Sequence, residues 1–179
     1  MFPALVIVLC VVLRLVPHPP NFAPVGATAV FAGRTLKPPA ALLLVAAAMF
    51  AGDVALAKLH GYPVASLVTP FVYAGFFAQA MLGRLLRAKN GGAIGAAVAG
   101  AFAFFVLSNF GVWAVGSMYP HTGLGLVMCY VAALPFLGGS LLGDVVWTLV
   151  LSAAYRSAAL RLESHPLWIP VPSRELGRV

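Results

Sequence analysis

RLVPHPPNFAPVGATAVFAG, residues 14–33, interrupts an apolar chain with an arginine, four prolines, a histidine and an asparagine. Proline lacks an N–H donor and blocks helix continuation, so the first apolar run ends here. Irregular backbone at membrane depth is tolerated only where it is buried in protein or lines a watery cavity. The stretch therefore predicts a dip in the wall of a helical bundle, with a short second helix directly below it.

The composition of the whole chain predicts an integral membrane protein. Of 179 residues, 62% are hydrophobic and only 8% are charged, whereas a soluble domain carries roughly 25% charged residues. So few charges cannot cover a globule in water, and we expect lipid to surround most of the surface. The first apolar run lacks a basic leader and a cleavage site, so it is interpreted as a retained transmembrane helix in the bacterial inner membrane.

The apolar runs predict an all-α bundle of about six transmembrane helices. A full span needs roughly 20 residues, and the second run is too short to cross. The segment 123–134 is interpreted either as a half-helix before the last span or as an early piece of that span. The predicted spans are 2–16, 22–34, 38–57, 66–87, 92–116 and 136–160.

The basic residues predict the orientation of these spans. With the N-terminus inside, nine lysines and arginines fall on the cytoplasmic side and only Lys58 falls outside, which is the positive-inside pattern. The chain is thus expected to be N-in and C-in, with a transmembrane domain over 1–161 and a loose cytoplasmic tail over 162–179. The net charge of +7 is explained by orientation, and nucleic acid is not expected as a partner.

Four polar residues lie deep in the predicted outer half of the membrane, each on a different helix: Arg14, Asp53, Asn109 and Asp144. Ionisable residues at such depth are costly, usually face a bundle interior or wet cavity, and tend to pair. We expect Arg14 to pair with Asp53 or Asp144. The pair either only fixes helix register or also forms the polar floor of a ligand pocket.

Each predicted outer connection carries one histidine near a proline, namely His18, His60 and His121. Imidazoles are metal ligands, so convergence of the three loops would create a candidate metal site. No metal-type spacing supports this, and histidine and proline also suit loops at headgroup depth. The metal assignment is therefore open, and no cofactor is expected. The two cysteines, Cys10 and Cys129, are expected to be small buried residues.

The entry to the second helix is a further candidate for ligand binding. Asn21 can cap that helix, and the helix dipole would then favour an anionic or electron-rich group. Aromatic residues near the outer ends form either an interfacial belt or a stacking surface for a ring-bearing solute; they are Phe22, Tyr73, Phe110, Trp113, Tyr119 and Tyr130. Small residues over 91–100, GGAIGAAVAG, permit close packing inside the bundle or against a partner protein.

Three segments resemble an uncharacterised family of small bacterial membrane proteins usually labelled as transport proteins. They are PHPPNFAPVGATAVFAG (17–33), SNFGVWAVGSMYPHTGLGLVMCYVAALPF (108–136) and LLGDVVWTL (141–149). That family in turn resembles the S components of energy-coupling factor (ECF) vitamin transporters. The resemblance implies six helices, N-in and C-in, that bind a vitamin or metal from outside and work with a membrane coupling protein and two ATPases. The small-residue coupling motif of S components is absent from the first helix, FPALVIVLCVVLRLV (2–16).

Together these observations favour a substrate-binding membrane transport subunit, not an enzyme, that takes up a vitamin-like compound or a metal ion. The ligand is expected above Arg14, Asp53, Asn109 and Asp144, under the loops of His18, His60 and His121. An intramembrane metal-assisted enzyme is the first alternative, although the sequence has no HExxH or GxSxG motif. A structural or assembly protein without a small ligand is the second.

Overall fold

In the computed structural model, the described residues are 2–17, 19–61 and 63–163, and they fold into six α-helices. The helices are α1 (Phe2–Leu15), α2 (Val25–Thr35), α3 (Pro38–His60), α4 (Thr69–Leu85), α5 (Gly92–Val115) and α6 (Gly123–Glu163). No strand occurs in this part of the chain. The predicted tail lies outside the described residues from position 164 onward.

Three of these helices are long and apolar enough to cross a membrane. They are α3, α5 and the part of α6 that spans Gly123–Ala158. Large apolar side chains also point outward along them; Leu43, Phe50, Val106 and Leu142 are each at least half exposed. A surface of this kind is stable in lipid, where apolar side chains need no burial.

Helix α2 lies at the centre of the fold and contacts all five other helices. Nine consecutive residues, Val25 to Gly33, are buried, so the helix is enclosed on every side rather than on one face. Glycines make this possible, because a Cβ at Gly33 would collide with the Ala80 carbonyl of α4 and one at Gly83 would collide with Val30 of α2. The predicted short second helix is therefore confirmed, and it serves as the core of the fold.

The helix ends follow local sequence signals. Pro38 and Pro39 occupy the first turn of α3, where a missing N–H costs nothing. Gly61 ends α3 with a left-handed φ of 72°, and Gly91 precedes α5 with a φ of 67°. At the cytoplasmic end expected from the charge pattern, Arg34 of α2 donates hydrogen bonds to the carbonyls of Leu86 and Arg87 after α4. This contact holds the C-terminal ends of α2 and α4 together.

Segment 123–134 is the first part of α6, the second of the two interpretations given above. The helix runs for 41 residues with Pro135 inside it, a length of about 60 Å. One missing N–H at Pro135 does not end the helix. The 91–100 segment packs inside the bundle through Gly92, Ala96 and Gly100, which are buried. Gly91 and Gly95 of the same segment are exposed.

Candidate functional site

A cavity of about 290 Å³ lies between the helices, and all six of them contribute residues to its wall. This central cavity has a polar part and an apolar part. The polar part consists of Arg14, Asn21, Gln79, Ser140 and Asp144. The apolar part consists of Ala23, Val25, Gly26, Met49, Leu56, Val72, Phe76 and Phe104.

On one side of the central cavity, Arg14 forms the expected ion pair with Asp53. Nη2 of Arg14 lies 2.7 Å from Oδ1 of Asp53, and the two side chains are 21% and 15% exposed. Nη1 of Arg14 donates to the Met49 carbonyl at 3.3 Å, and the Tyr73 hydroxyl donates to Oδ2 of Asp53 at 3.0 Å. The pair thus joins α1, α3 and α4, and the charge of Arg14 is neutralised within the protein.

On another side, Asp144 of α6 meets the N-terminus of α2. Asp144 is 4% exposed, and its Oδ2 accepts a 2.7 Å hydrogen bond from Nε2 of Gln79. The first turn of a helix has unpaired N–H groups, and the Asp144 carboxylate lies beside this turn, against Gly26. Gly26 allows this approach, because a Cβ there would overlap the carboxylate.

The expected cap of α2 by Asn21 is therefore wrong. Pro24 is the N-cap residue and no side-chain hydrogen bond caps the helix; the Asp144 carboxylate lies beside its first turn. Asn21 adopts a left-handed φ of 60°, which asparagine tolerates better than most residues, and its Nδ2 lies 3.5 Å from the Phe136 carbonyl. The dipole of α2 is consequently already engaged by an anion that belongs to the protein.

Two polar residues of the central cavity, Gln79 and Ser140, are absent from the predicted site, and Gln79 is the more deeply buried of the two. It is 1% exposed, and its Oε1 is buried with no hydrogen-bond partner. With Asp144 ionised, the carboxylate only accepts hydrogen bonds, so Nε2 faces Asp144 and Oε1 is the acceptor left without a partner. A single amide within an otherwise apolar span was the available signal, the same one that identified Asn109.

Of the deep polar residues, Asn109 lies apart from the central cavity. Its Nδ2 donates to the Phe105 carbonyl of its own helix at 2.8 Å, so α5 satisfies the amide internally. The predicted depth of Asn109 in the membrane is similar to that of Arg14 and Asp144, and this similarity was the reason for grouping them. The direction of the Asn109 side chain around its helix axis separates it from the other two.

The expected cover of histidine loops is not present among the described residues. Neither His60, at the end of α3, nor His121 lines the central cavity, and His18 lies outside the described residues. His121 folds onto its own loop: its Nε2 is 3.1 Å from the Gly116 carbonyl, and its ring packs edge-to-face on Trp113. In the described ranges, no group of three His, Cys, Asp or Glu side chains could hold a metal ion.

The predicted aromatic residues also lie elsewhere. Trp113 donates from Nε1 to the Pro120 carbonyl, and half-buried Tyr119 lies on the same α5–α6 loop. The Phe22 carbonyl accepts a 2.9 Å hydrogen bond from Trp147, which fastens the linker before α2 to α6. The rings that line the central cavity are Phe76 and Phe104, whose centroids are 4.6 Å apart.

Fold and site together define an all-α protein, in its described part, with three membrane-length apolar helices and a central cavity lined by both polar and apolar residues. Comparison of the sequence with known families agrees on a single assignment. The chain belongs to DUF6580, a family of unknown function whose profile matches residues 1–166. No curated protein and no solved structure matches the chain.

Proposed function

We propose that this protein is a multi-pass membrane protein that binds a small solute from the outer side of the inner membrane, as the substrate-binding subunit of an uptake system. The observation that carries the proposal is the central cavity, where polar side chains from α1, α4 and α6 meet between otherwise apolar helices. Polar groups inside a membrane bundle are costly and are typical of solute pathways. Its volume of about 290 Å³ is near the lower end for small-molecule sites.

The proposal includes an N-in, C-in topology. It is supported by the clustering of basic residues at alternate helix ends and by the contact of Arg34 with the end of α4. Cysteine labelling in intact cells tests it, because the native Cys10 and Cys129 are buried. We expect Lys58→Cys to react with an impermeant maleimide from outside and Lys89→Cys to react only after the membrane is opened; the reverse pattern would refute the orientation.

The proposal leaves the energy source to a partner, since the sequence has no GxxxxGK[ST] loop for ATP. An energising coupling protein with ATPases is the proposed partner, in line with the resemblance to ECF S components. Affinity purification from the native membrane tests this part. Recovery of a stoichiometric ATPase would support it, and recovery of the protein alone in every mild detergent would favour a solitary transporter.

The test of solute binding is native mass spectrometry of gently purified protein, with metal analysis of the same sample. We expect a stoichiometric small molecule that is lost when the central cavity is filled by Val72→Phe. The matched control is Val127→Phe, which adds the same ring at a position that is 57% exposed and should retain the ligand. Equal retention by both variants would show that the ligand lies elsewhere.

A structural role without a small ligand is the second candidate, because one group of observations favours it. Arg14, Asp53 and Tyr73 are hydrogen-bonded to one another, as they would be in a register-fixing network. Under this alternative, no compound co-purifies and Val72→Phe leaves the biological activity of the protein intact. The unpartnered Oε1 of Gln79 favours the binding proposal, since a purely structural network is expected to satisfy its buried acceptors.

A further inference from the structure

The polar part of the central cavity contains hydrogen-bond acceptors that are not fully partnered. Oε1 of Gln79 is buried without a partner, and the adjacent Asp144 carboxylate can accept more hydrogen bonds than the one that Gln79 donates. An acceptor left unpaired in a low-dielectric interior is unfavourable. A ligand that donates hydrogen bonds would remove this deficit, and a ligand that only accepts them would not.

The charges that line the central cavity lead to the same conclusion. Arg14 is neutralised by Asp53 at 2.7 Å, so it offers little attraction to an anion. Among the residues that the structure describes, no cationic side chain pairs with Asp144. The N-terminus of α2 supplies only about half a unit of positive charge. When Asp144 is ionised, the remaining charge of the cavity is therefore negative.

The apolar part of the central cavity limits the kind of cation. Met49, Leu56, Val72, Phe76 and Phe104 surround a space of about 290 Å³, roughly that of ten waters at about 30 Å³ each. A bare metal ion would leave most of this space empty, and no group of three metal-ligating side chains is in place among the described residues. An apolar body fits these walls, and the phenylalanine rings also attract cations.

We propose that the central cavity holds a compact organic cation, with its protonated amine between the Asp144 carboxylate and Oε1 of Gln79 and its apolar body against Phe76 and Phe104. The proposal rests on the proposed function and specifies the class of solute. This cation takes the place of the anionic ligand group that the sequence predicted at the N-terminus of α2. Binding is noncovalent and requires no other reactant.

The test compares matched probes on purified full-length protein in nanodiscs at pH 7. The probes are methylammonium, butylammonium and 2-phenylethylammonium, with 2-phenylethanol as the neutral match and phenylacetate as the anionic match. Calorimetry and ligand-induced thermal shift measure binding. We expect at least one ammonium ion to bind, and 2-phenylethylammonium to bind at least 10-fold tighter than its alcohol, with no binding of phenylacetate. Tighter binding of phenylacetate, or no binding of any ammonium ion, would overturn the proposal.

Variants then locate the amine. Asp144→Asn keeps the size of the side chain but removes its charge, and we expect it to weaken ammonium binding at least 10-fold while leaving the alcohol unaffected. Gln79→Met removes Oε1 and should also weaken ammonium binding. Thr148→Val is the matched control, since it changes a buried residue one turn further along α6 that does not line the cavity. Unchanged ammonium affinity in Asp144→Asn would refute the assignment, and if that variant does not fold, Gln79→Met decides.

Failure of this inference can be told apart from failure of the proposed function. A co-purifying acid or neutral compound that Val72→Phe displaces would keep the solute-binding function and refute the amine. An absence of any co-purifying compound, together with no binding of any probe, would refute both.

Discussion

The contact between Gly26 and Asp144 allows a quantitative prediction for Gly26→Ala. All three atoms of the Asp144 carboxylate lie where the new methyl group would be, so the carboxylate must move away. This breaks its hydrogen bond with Gln79, which is worth about 1.5–3 kcal/mol because the acceptor is charged. Alanine returns about 1 kcal/mol through its higher helix propensity, so we expect a net loss of about 0.5–2 kcal/mol in the free energy of unfolding.

Thermal unfolding in detergent, followed by tryptophan fluorescence, measures the effect. For a chain of this length, about 1 kcal/mol corresponds to roughly 2–4 °C, so the midpoint should fall by about 1–8 °C. Gly138→Ala is the control, because a Cβ there would meet nothing within 4 Å; it should keep or slightly raise the midpoint.

A double variant separates this explanation from general overpacking. If Gly26→Ala acts by displacing the carboxylate, then Asp144→Ala should lower the free energy of unfolding much less in the Gly26→Ala protein than in the native protein. The reason is that both changes remove the same hydrogen bond with Gln79. Fully additive effects, or a Gly26→Ala protein as stable as Gly138→Ala, would refute the reasoning.

Two further predictions follow from other contacts. Arg14→Met and Asp53→Asn should each lower the unfolding midpoint, and the double variant should lose less than the sum, with a coupling of about 0.5–3 kcal/mol because the side chains are in direct contact; additive losses in thermal unfolding would show that the pair contributes no coupling. Cys10 and Cys129 are only 1% and 2% exposed, so we expect thiol-reactive dyes to label them only as the protein unfolds, and rapid labelling below the unfolding midpoint would contradict their burial.

Much of the helical layout was predictable from the sequence because its signals are local. Helix ends are signalled locally by the prolines at 17, 19 and 20 and by the glycine at 61. A missing N–H or a left-handed φ affects only the immediate neighbours of the residue, so these signals can be recognised without knowing the tertiary structure. The short second helix was predicted from run length, and the pairing of Arg14 with either Asp53 or Asp144 was predicted from depth; the structure selects Asp53. Pro135 was the exception, because a long helix continues past one lost hydrogen bond.

The site itself depended on the tertiary structure. Depth along a helix follows from residue number, but the direction of a side chain around the helix axis depends on which face packs against a neighbour. That is why Asn109 bonds to its own helix while Gln79 reaches Asp144, 65 residues away. The sequence alone determined that this chain suits lipid and that polar residues lie deep within it. Packing around α2 decided which of them meet, because Gly26 leaves room for a carboxylate at the start of a helix whose first nine residues are buried.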